Sequence, residues 1–266
     1  KIKKNDLIII ESTCPPGFAE KIFKKIRKKT RFFLSTCPER AIPGNTLKEM
    51  IYNHRIIGSS CNQAYKKTRL LYKSFVKGKI FKTSLTEAEL IKLYENSFRD
   101  SNIALANELD SISKNFNINS KKIFELTNLH PRVNIHQPGI GVGGHCIPVD
   151  PWFLLKKKNI KKSLIYRSRL LNLNKEKIVY NNLSKKISSF KKKKILCFGI
   201  TYKENTDDIR NSPALNNIKK LKKKINNLKI FDPLNDSMNN LTSKEVINKK
   251  FDEIIVFVKH KWLKKN

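Results

Sequence analysis

The chain has 266 residues, of which 39% are hydrophobic and 29% charged, with only nine Gly and ten Pro. This composition excludes collagen-like, low-complexity and wholly disordered chains, and the length suffices for one large α/β domain or two to three small ones. The net charge of +34 comes mostly from scattered Lys rather than from the Arg that base and phosphate readers favour, so we expect a solvated basic surface and no nucleic-acid partner.

The first elements in chain order predict a parallel α/β unit. A strand is expected at residues 7–13, a helix at 18–29 and a second, buried strand at 31–36. The order strand, turn, helix, strand is typical of parallel pairing. Ligands of such units bind beyond the carboxyl ends of the strands, where Thr13 and the segment 37–40 lie.

Two helices are predicted next, over about residues 60–76 and 86–115. Thr86 and Glu89 have the spacing of a capping box at the start of the second helix. Further along this helix, polar side chains spaced four and three residues apart project from one face; they are Lys92, Asn96 and Arg99. Such a polar face is either solvated or functional, and the spacing alone does not decide between the two.

Residues 127–152 lose all periodicity and contain four of the nine glycines, at 139–144. A loop of this length with so many apolar residues favours a function over disorder. Glycines allow close approach of a ligand, and Cys146, which follows them, would lie on an amide-rich turn that favours its thiolate. Asp150 could orient a water or accept a proton. The alternative is that Cys146 is a small buried hydrophobic side chain.

The last part of the chain predicts a second, smaller α/β domain. It follows a helix at about 159–189 and a basic run at 191–194 that marks a boundary. Strands are expected at 195–200, 228–231 and 253–258, with a helix that begins at Pro213. Asp232 follows the strand at 228–231, as an acidic residue does in one half of a dinucleotide-binding domain. No GxGxxG follows any predicted strand, however.

Several classes of site are not expected. His145 and Cys146 are neighbours and no CxxC exists, so zinc-ligand spacing is absent and no metal is predicted. The longest aliphatic run, residues 7–10, is far below the roughly 20 residues of a membrane span. Five irregularly spaced cysteines and the lack of an opening leader sequence favour a reducing, cytoplasmic location.

Five stretches together resemble the UDP-glucose/UDP-N-acetylmannosamine dehydrogenase family of nucleotide-sugar 6-dehydrogenases. They are ESTCPPG at 11–17, CPERAIPG at 37–44, EAELIKLYENSFRD at 87–100, GVGGHCIPVDPW at 141–152 and TDDIRNSP at 206–213. The stretches occur in the family's order and span nearly the whole chain. His130-Pro-Arg-Val-Asn134 and His145 are more similar to the branch that acts on N-acetylated sugars.

The resemblance implies an α/β fold of three domains. We expect the second half of an NAD-binding Rossmann domain at residues 1–83, a central helical dimerisation domain at 84–189 and an incomplete, Rossmann-like UDP-binding domain at 190–266. The glycine fingerprint and ribose-binding acid of the family would precede Lys1. A homodimer is the expected assembly.

The resemblance also implies an activity: four-electron oxidation of the C6 alcohol of a UDP-sugar to a carboxylate with two molecules of NAD in succession, as used in polysaccharide biosynthesis. UDP-N-acetyl-D-mannosamine is the expected substrate. UDP-N-acetylglucosamine and UDP-glucose are alternatives, as is an inactive remnant that binds at most a UDP-sugar.

By motif, the resemblance gives Cys146 the role of nucleophile, which forms a thiohemiacetal and then a thioester. Lys92 would be the acid/base group and Asn96 a donor to the same oxygen, while Asp150 and Glu39 would act on the hydrolytic water. Contacts to the UDP-sugar are implied for Arg40, Ala41, Lys92, Asn96, Arg99, His130, Arg132, Gly143, Tyr202 and Lys203. Contacts to NAD are implied for Thr13, which would also help to order the water, and for Arg210.

Overall fold

The computed structural model describes residues 1–42, 44–155, 160–190 and 192–264. The chain is a mixed α/β protein that divides into two compact units. The first comprises Lys1–Ser97 with Asp150–Lys158, and the second comprises Phe98–Val149 with Asn159–Asn266. No helix within the described ranges combines the length and apolarity that a bilayer crossing requires.

A four-stranded sheet with the order β1-β2-β3-β4 organises the first unit. Its strands are β1 (Leu7–Ile10), β2 (Phe33–Thr36), β3 (Arg55–Ser59) and β4 (Ile80–Thr83), and its helices are α1 (Phe18–Arg27), α2 (Thr46–Tyr52) and α3 (Asn62–Lys73). The predicted parallel pairing of the first two strands is confirmed. The third strand pairs antiparallel to the second and parallel to the fourth, an arrangement that the sequence analysis missed.

The cap of the long helix α4 (Leu85–Asn115) differs from the prediction. The Thr86–Glu89 capping box is wrong, because Ser84 and Glu87 form the reciprocal pair. The Glu87 carboxylate accepts from the Ser84 amide at 2.9 Å, and the Ser84 hydroxyl accepts from the Glu87 amide at 3.2 Å. The cap therefore begins two residues earlier than the sequence suggested.

Glu89 instead caps a different helix. Its carboxylate is only 1% exposed and accepts from the backbone amides of Gly17, at 2.7 Å, and Ala19, at 2.8 Å, at the start of α1. These amides have no partner within the helix, so a buried acceptor there satisfies them. Burial raises the pKa of Glu89 against the lowering effect of the two amides.

This difference gives a stability prediction. Glu89→Ala is expected to lower the free energy of unfolding by about 1–3 kcal/mol, since it leaves buried amides unsatisfied. Thr86→Ala is expected to change it by less than about 0.5 kcal/mol, because this side chain forms no cap. Urea unfolding followed by circular dichroism measures both. A larger loss for Thr86→Ala than for Glu89→Ala would contradict the observed cap.

The second unit contains a three-stranded parallel sheet with the order β6-β5-β7. The strands are β5 (Ile195–Phe198), β6 (Leu228–Phe231) and β7 (Glu253–Val256), and the helices are α9 (Pro213–Lys222) and α10 (Ser243–Asn248). The three predicted strands and the predicted helix that begins at Pro213 are confirmed. Ser212 caps that helix by accepting from the Leu215 amide at 3.2 Å.

Helical segments complete the second unit. They are the second half of α4, α5 (Ser120–Thr127), α7 (Leu164–Ser184) and α8 (Ile187–Phe190). The last two occupy the stretch predicted as one helix; residues 159 and 191, where that helix and the basic run were expected to begin, lie outside the described residues. Buried polar groups join α4 to α7: Arg169 pairs with Asp100, and Asn172 donates to the Asp100 carboxylate at 2.8 Å.

The predicted aperiodic segment is confirmed between α5 and α6 (Asp150–Leu154), where residues 128–149 form no helix or strand. Two side-chain amides of α4 hold its backbone. Asn102 accepts from the His136 amide at 2.8 Å, and Asn107 accepts from the Gly139 amide at 2.9 Å. The glycine-rich loop is therefore anchored where it begins.

Candidate active site

Two of the three polar side chains predicted on one face of α4, Lys92 and Asn96, are buried in the first unit, so they are not a solvated face. Lys92 is 8% exposed and Asn96, one turn later, is 3% exposed. Asn96 donates from Nδ2 to Asp150 Oδ2 at 2.6 Å, and Asp150 is itself 3% exposed. Burying an amine, an amide and a carboxylate away from water costs free energy. Their burial here therefore favours a functional role for these three side chains.

Glu39 follows the carboxyl end of β2, as predicted, and its carboxylate is fully engaged. The amides of Arg40 and Ala41 each donate to Oε1 at 2.7 Å, and the buried Arg55 donates to Oε2 at 2.9 Å. Burial raises the pKa of Glu39, but the Ala41 amide and the Arg55 guanidinium outweigh it, so the net pKa lies below its ordinary value. The sequence analysis did not single out Arg55.

Arg40 is held by α4 and by the residue that precedes β3. Its guanidinium forms a two-point pair with Glu95, with Nε at 2.9 Å from Oε2, and donates to the His54 carbonyl at 3.1 Å. Sequence reasoning missed Glu95, although it lies on the helix stretch that carries Lys92 and Asn96. The paired Arg–carboxylate geometry fixes the guanidinium plane.

In the second unit, the glycines before Cys146 are required by packing. A Cβ on Gly143 would lie 2.7 Å from both the Asn211 carbonyl oxygen and Tyr202 Cβ. Gly144 has φ +85°, and a Cβ there would lie 3.0 Å from the Tyr202 ring. These glycines fit the GxGxxG spacing of 139–144, but they pack against protein and follow no strand within the described residues. They are therefore not a pyrophosphate turn.

Two hydrogen bonds attach the Cys146 loop to the loop that follows β5. The Gly144 amide donates to the Arg210 carbonyl at 2.9 Å, and Asn211 Nδ2 donates to the Gly144 carbonyl at 3.0 Å. The structure thus brings together Cys146, Gly143, Tyr202 and Arg210 of the predicted set. Burial raises the pKa of Tyr202, and negative charge on Asp208 and Cys146 adds to the rise.

Arg210 and the other predicted residues of the second unit have more exposed side chains. Arg210 forms a two-point ion pair with Asp208, with Nε 3.0 Å from Oδ1 and Nη2 2.6 Å from Oδ2. His130 and Arg132 lie together on the surface, with the Arg132 amide 3.4 Å from His130 Nδ1. Lys203 is exposed and Arg99 is half-buried.

Asp232 has a different role from that of a ribose-binding acid. Its carboxylate is buried and accepts from the Ile200 amide at 2.7 Å, from the Leu234 amide at 2.9 Å and from His260 Nε2 at 3.1 Å. Because His260 Nδ1 accepts from the Asn205 amide at 3.0 Å, the ring proton lies on Nε2. Burial raises the pKa of Asp232, but His260 and the amides lower it to a net value below normal. Asp232 therefore anchors the loop after β5.

Three domain models of one family match the chain in order. The NAD binding domain matches residues 1–76, the central domain 86–175 and the UDP binding domain 196–266. The chain belongs to the UDP-glucose/GDP-mannose dehydrogenase family. The resemblance drawn from the five sequence stretches is thereby confirmed.

Relatives within the family are similar over nearly the whole chain. The UDP-N-acetyl-D-mannosamine dehydrogenase of Methanocaldococcus jannaschii is 42% identical over 261 residues, which cover 97% of this chain and 60% of the relative. A UDP-D-ManNAc dehydrogenase structure from Pyrococcus horikoshii has a TM-score of 0.89 at 37% identity, covering 100% of this chain and 65% of that one. A native UDP-N-acetyl-mannosamine dehydrogenase structure from Staphylococcus aureus has a TM-score of 0.84 at 36% identity, covering 99% and 64%. The chain thus spans less than two thirds of the length of these relatives.

The family model names NAD, and the first unit fits this cofactor in part. Half-buried Thr13 follows β1 at the sheet edge where dinucleotides bind. The pyrophosphate of a dinucleotide normally lies at a glycine-rich helix N-terminus. At the start of α1 the amides are bonded to Glu89 instead, and the described residues of this unit form no other turn of that kind.

Proposed function

We propose that this chain is the catalytic portion of an NAD-dependent UDP-N-acetyl-D-mannosamine 6-dehydrogenase. The observation that carries the proposal is the buried Asn96–Asp150 hydrogen bond on the same helix face as Lys92. Family membership and the names of the relatives in M. jannaschii and P. horikoshii support the sugar and the reaction.

Lys92 and Asn96 would act on the C6 oxygen of the sugar. Lys92, as the acid/base group, would accept the alcohol proton through its amine as the hydride leaves C6, and the resulting ammonium would stabilise the negative charge that develops on that oxygen. Asn96, fixed by Asp150, would donate a second hydrogen bond to it. NAD, when bound, supplies the hydride acceptor for both oxidation steps.

Cys146 would carry the intermediate between the two oxidations. Its thiolate adds to the C6 aldehyde to form a thiohemiacetal, and oxidation of that carbon gives a thioester. Water then adds to the thioester carbon, and the C–S bond breaks to release the carboxylate and the thiolate. Asp150 would order this water, helped by Thr13.

Glu39 is better suited to holding the backbone than to acting as a base for the water. Two amides and the Arg55 guanidinium occupy its oxygens, and its pKa is lowered. A carboxylate of this kind has little basicity near neutral pH. We infer that it presents the Arg40 and Ala41 backbone to the substrate.

Substrate and cofactor contacts are proposed for the rest of the motif residues. The UDP-sugar would contact Arg40, Ala41, Arg99, His130, Arg132, Gly143, Tyr202 and Lys203, and NAD would contact Thr13 and Arg210.

A homodimer is supported by exposed apolar side chains on α7, which are Leu164, Leu170, Leu171, Leu173 and Ile178. A reducing compartment such as the cytoplasm suits the five cysteines, none of which forms a disulfide.

Substrate choice tests the proposal. The gene product that contains this chain is incubated with NAD and, separately, with UDP-N-acetyl-D-mannosamine, UDP-N-acetylglucosamine and UDP-glucose. We expect kcat/KM for the first to exceed the others by at least about tenfold, the scale of one substituent contact. A preference for UDP-glucose would refute the N-acetylated substrate. UDP-sugar binding without any turnover would instead support a non-catalytic binding protein.

A further inference from the structure

The loop between β5 and α9, residues 199–212, contains two groups of residues with different partners. Near its start it carries Tyr202 and Lys203, which are proposed to contact UDP. Near its end it carries Arg210 and Asn211, which contact the loop of Cys146. One short segment therefore carries proposed nucleotide contacts and also bonds the loop that holds the proposed nucleophile.

Both hydrogen bonds to the Cys146 loop are made by one residue, Gly144. Its amide donates to the Arg210 carbonyl at 2.9 Å, and its carbonyl accepts from Asn211 Nδ2 at 3.0 Å. The Tyr202 ring lies against the same residue, close enough that a Cβ would meet it at 3.0 Å. Cys146 is only two residues further on, so these contacts restrict the backbone that carries the thiol.

The conformation of Asn211 suits this contact. Its φ is +50°, a left-handed conformation that is uncommon for residues other than Gly and in which Asn is enriched. Gly would adopt this backbone with less strain but could not donate to Gly144. The side-chain amide is the feature of Asn211 that Gly cannot replace.

The loop is braced internally, so its two ends are mechanically linked. The Tyr202 amide donates to the Asp208 carbonyl at 3.0 Å, which ties the start of the loop to its end. Asp208 pairs with Arg210. At the root, Thr201 Oγ1 lies 3.2 Å from His260 Nε2, and the same ring nitrogen bonds Asp232. A ligand that fixes Tyr202 therefore restrains Arg210 and Asn211 as well.

We propose that Asn211 is a positioning residue that ties the Cys146 loop to the nucleotide-binding loop, so that UDP bound at Tyr202 and Lys203 fixes the position of the thiol. The inference rests on the proposed function, because it takes the UDP contacts and the role of Cys146 from there. It adds the coupling between them, through a residue outside the proposed substrate and cofactor contacts.

The test measures thiol reactivity and UDP affinity on the gene product that contains this chain. Alkylation of Cys146 by iodoacetamide is followed by peptide mass spectrometry with and without UDP, and UDP affinity is measured by calorimetry. We expect UDP to slow alkylation by about two- to tenfold, the effect of one hydrogen bond. In Asn211→Gly we expect the slowing to disappear while the Kd for UDP stays within about twofold, since the UDP contacts are retained.

A matched control is Asn117→Gly, which replaces another Asn with positive φ, +56°, at the end of α4. It should behave like the unmodified chain. An equal slowing by UDP in Asn211→Gly would mean that UDP shields the thiol directly, and UDP binding without any slowing in the unmodified chain would mean that no coupling exists. Either result overturns the inference alone. Absence of UDP binding to the unmodified gene product overturns the proposed function and the inference with it.

Discussion

Cys146→Ser is expected to reduce formation of the uronic acid by at least about 10³-fold, because a Ser hydroxyl lacks the thiolate's nucleophilicity near neutral pH. The first oxidation does not need the sulfur, so aldehyde-level product should form and be trapped by a hydrazine. Mass spectrometry of the sugar products distinguishes the aldehyde adduct from the acid. The gene product that contains this chain is the enzyme to assay.

Cys61→Ser is the matched control for this substitution. Cys61 is exposed and caps α3 by accepting from the Ala64 amide at 3.5 Å, a contact that Ser can make as well. The activity of the Cys61→Ser enzyme should equal that of the unmodified enzyme. Undiminished production of the uronic acid by Cys146→Ser would remove Cys146 from the role of nucleophile.

Lys92→Ala is expected to lower kcat by about 10²–10³-fold, the usual loss when a donor to a developing oxyanion is removed. The KM for the UDP-sugar should change by less than about threefold, because the charge of Lys92 is needed most in the transition state. Steady-state kinetics, with single-turnover measurements to isolate the chemical step, separate these effects.

Lys114→Ala provides the comparison on the same helix. Lys114 is largely exposed and pairs with Asp110, so its removal takes a positive charge from α4 without touching the buried cluster. Its kcat should stay within about twofold of normal, as for most surface substitutions. A Lys92→Ala enzyme with normal kcat and raised KM would show that Lys92 only binds substrate.

The sequence was informative where structure depends on neighbouring residues. Ser212 and Pro213 mark the start of α9 by themselves, and the order of β1, α1 and β2 implies their parallel pairing. The antiparallel strand β3 was missed because its pairing with β2 joins Ser35 to Ser59, and such non-local pairing leaves little local signal.

The site shows the same division. Cys146, Lys92 and Asn96 could be singled out because their motifs are contiguous in sequence, and their proposed roles stay predictions. The residues that hold Glu39 and the Cys146 loop were not found, because their partners are not neighbours in sequence: Arg55 bonds Glu39, 16 residues away, and Asn211 bonds Gly144, 67 residues away. Glu89 was misassigned for that reason, since its partners lie about 70 residues away on α1.

The most direct test of the central claim is the ratio of NADH formed to UDP-N-acetyl-D-mannosamine consumed. The gene product that contains this chain is given limiting sugar and excess NAD, NADH is followed by absorbance, and the sugar products are quantified chromatographically. Four-electron oxidation through Cys146 requires about two NADH per sugar, with the uronic acid as the final product. A ratio of one with an aldehyde product, or none with the sugar bound, would contradict the account.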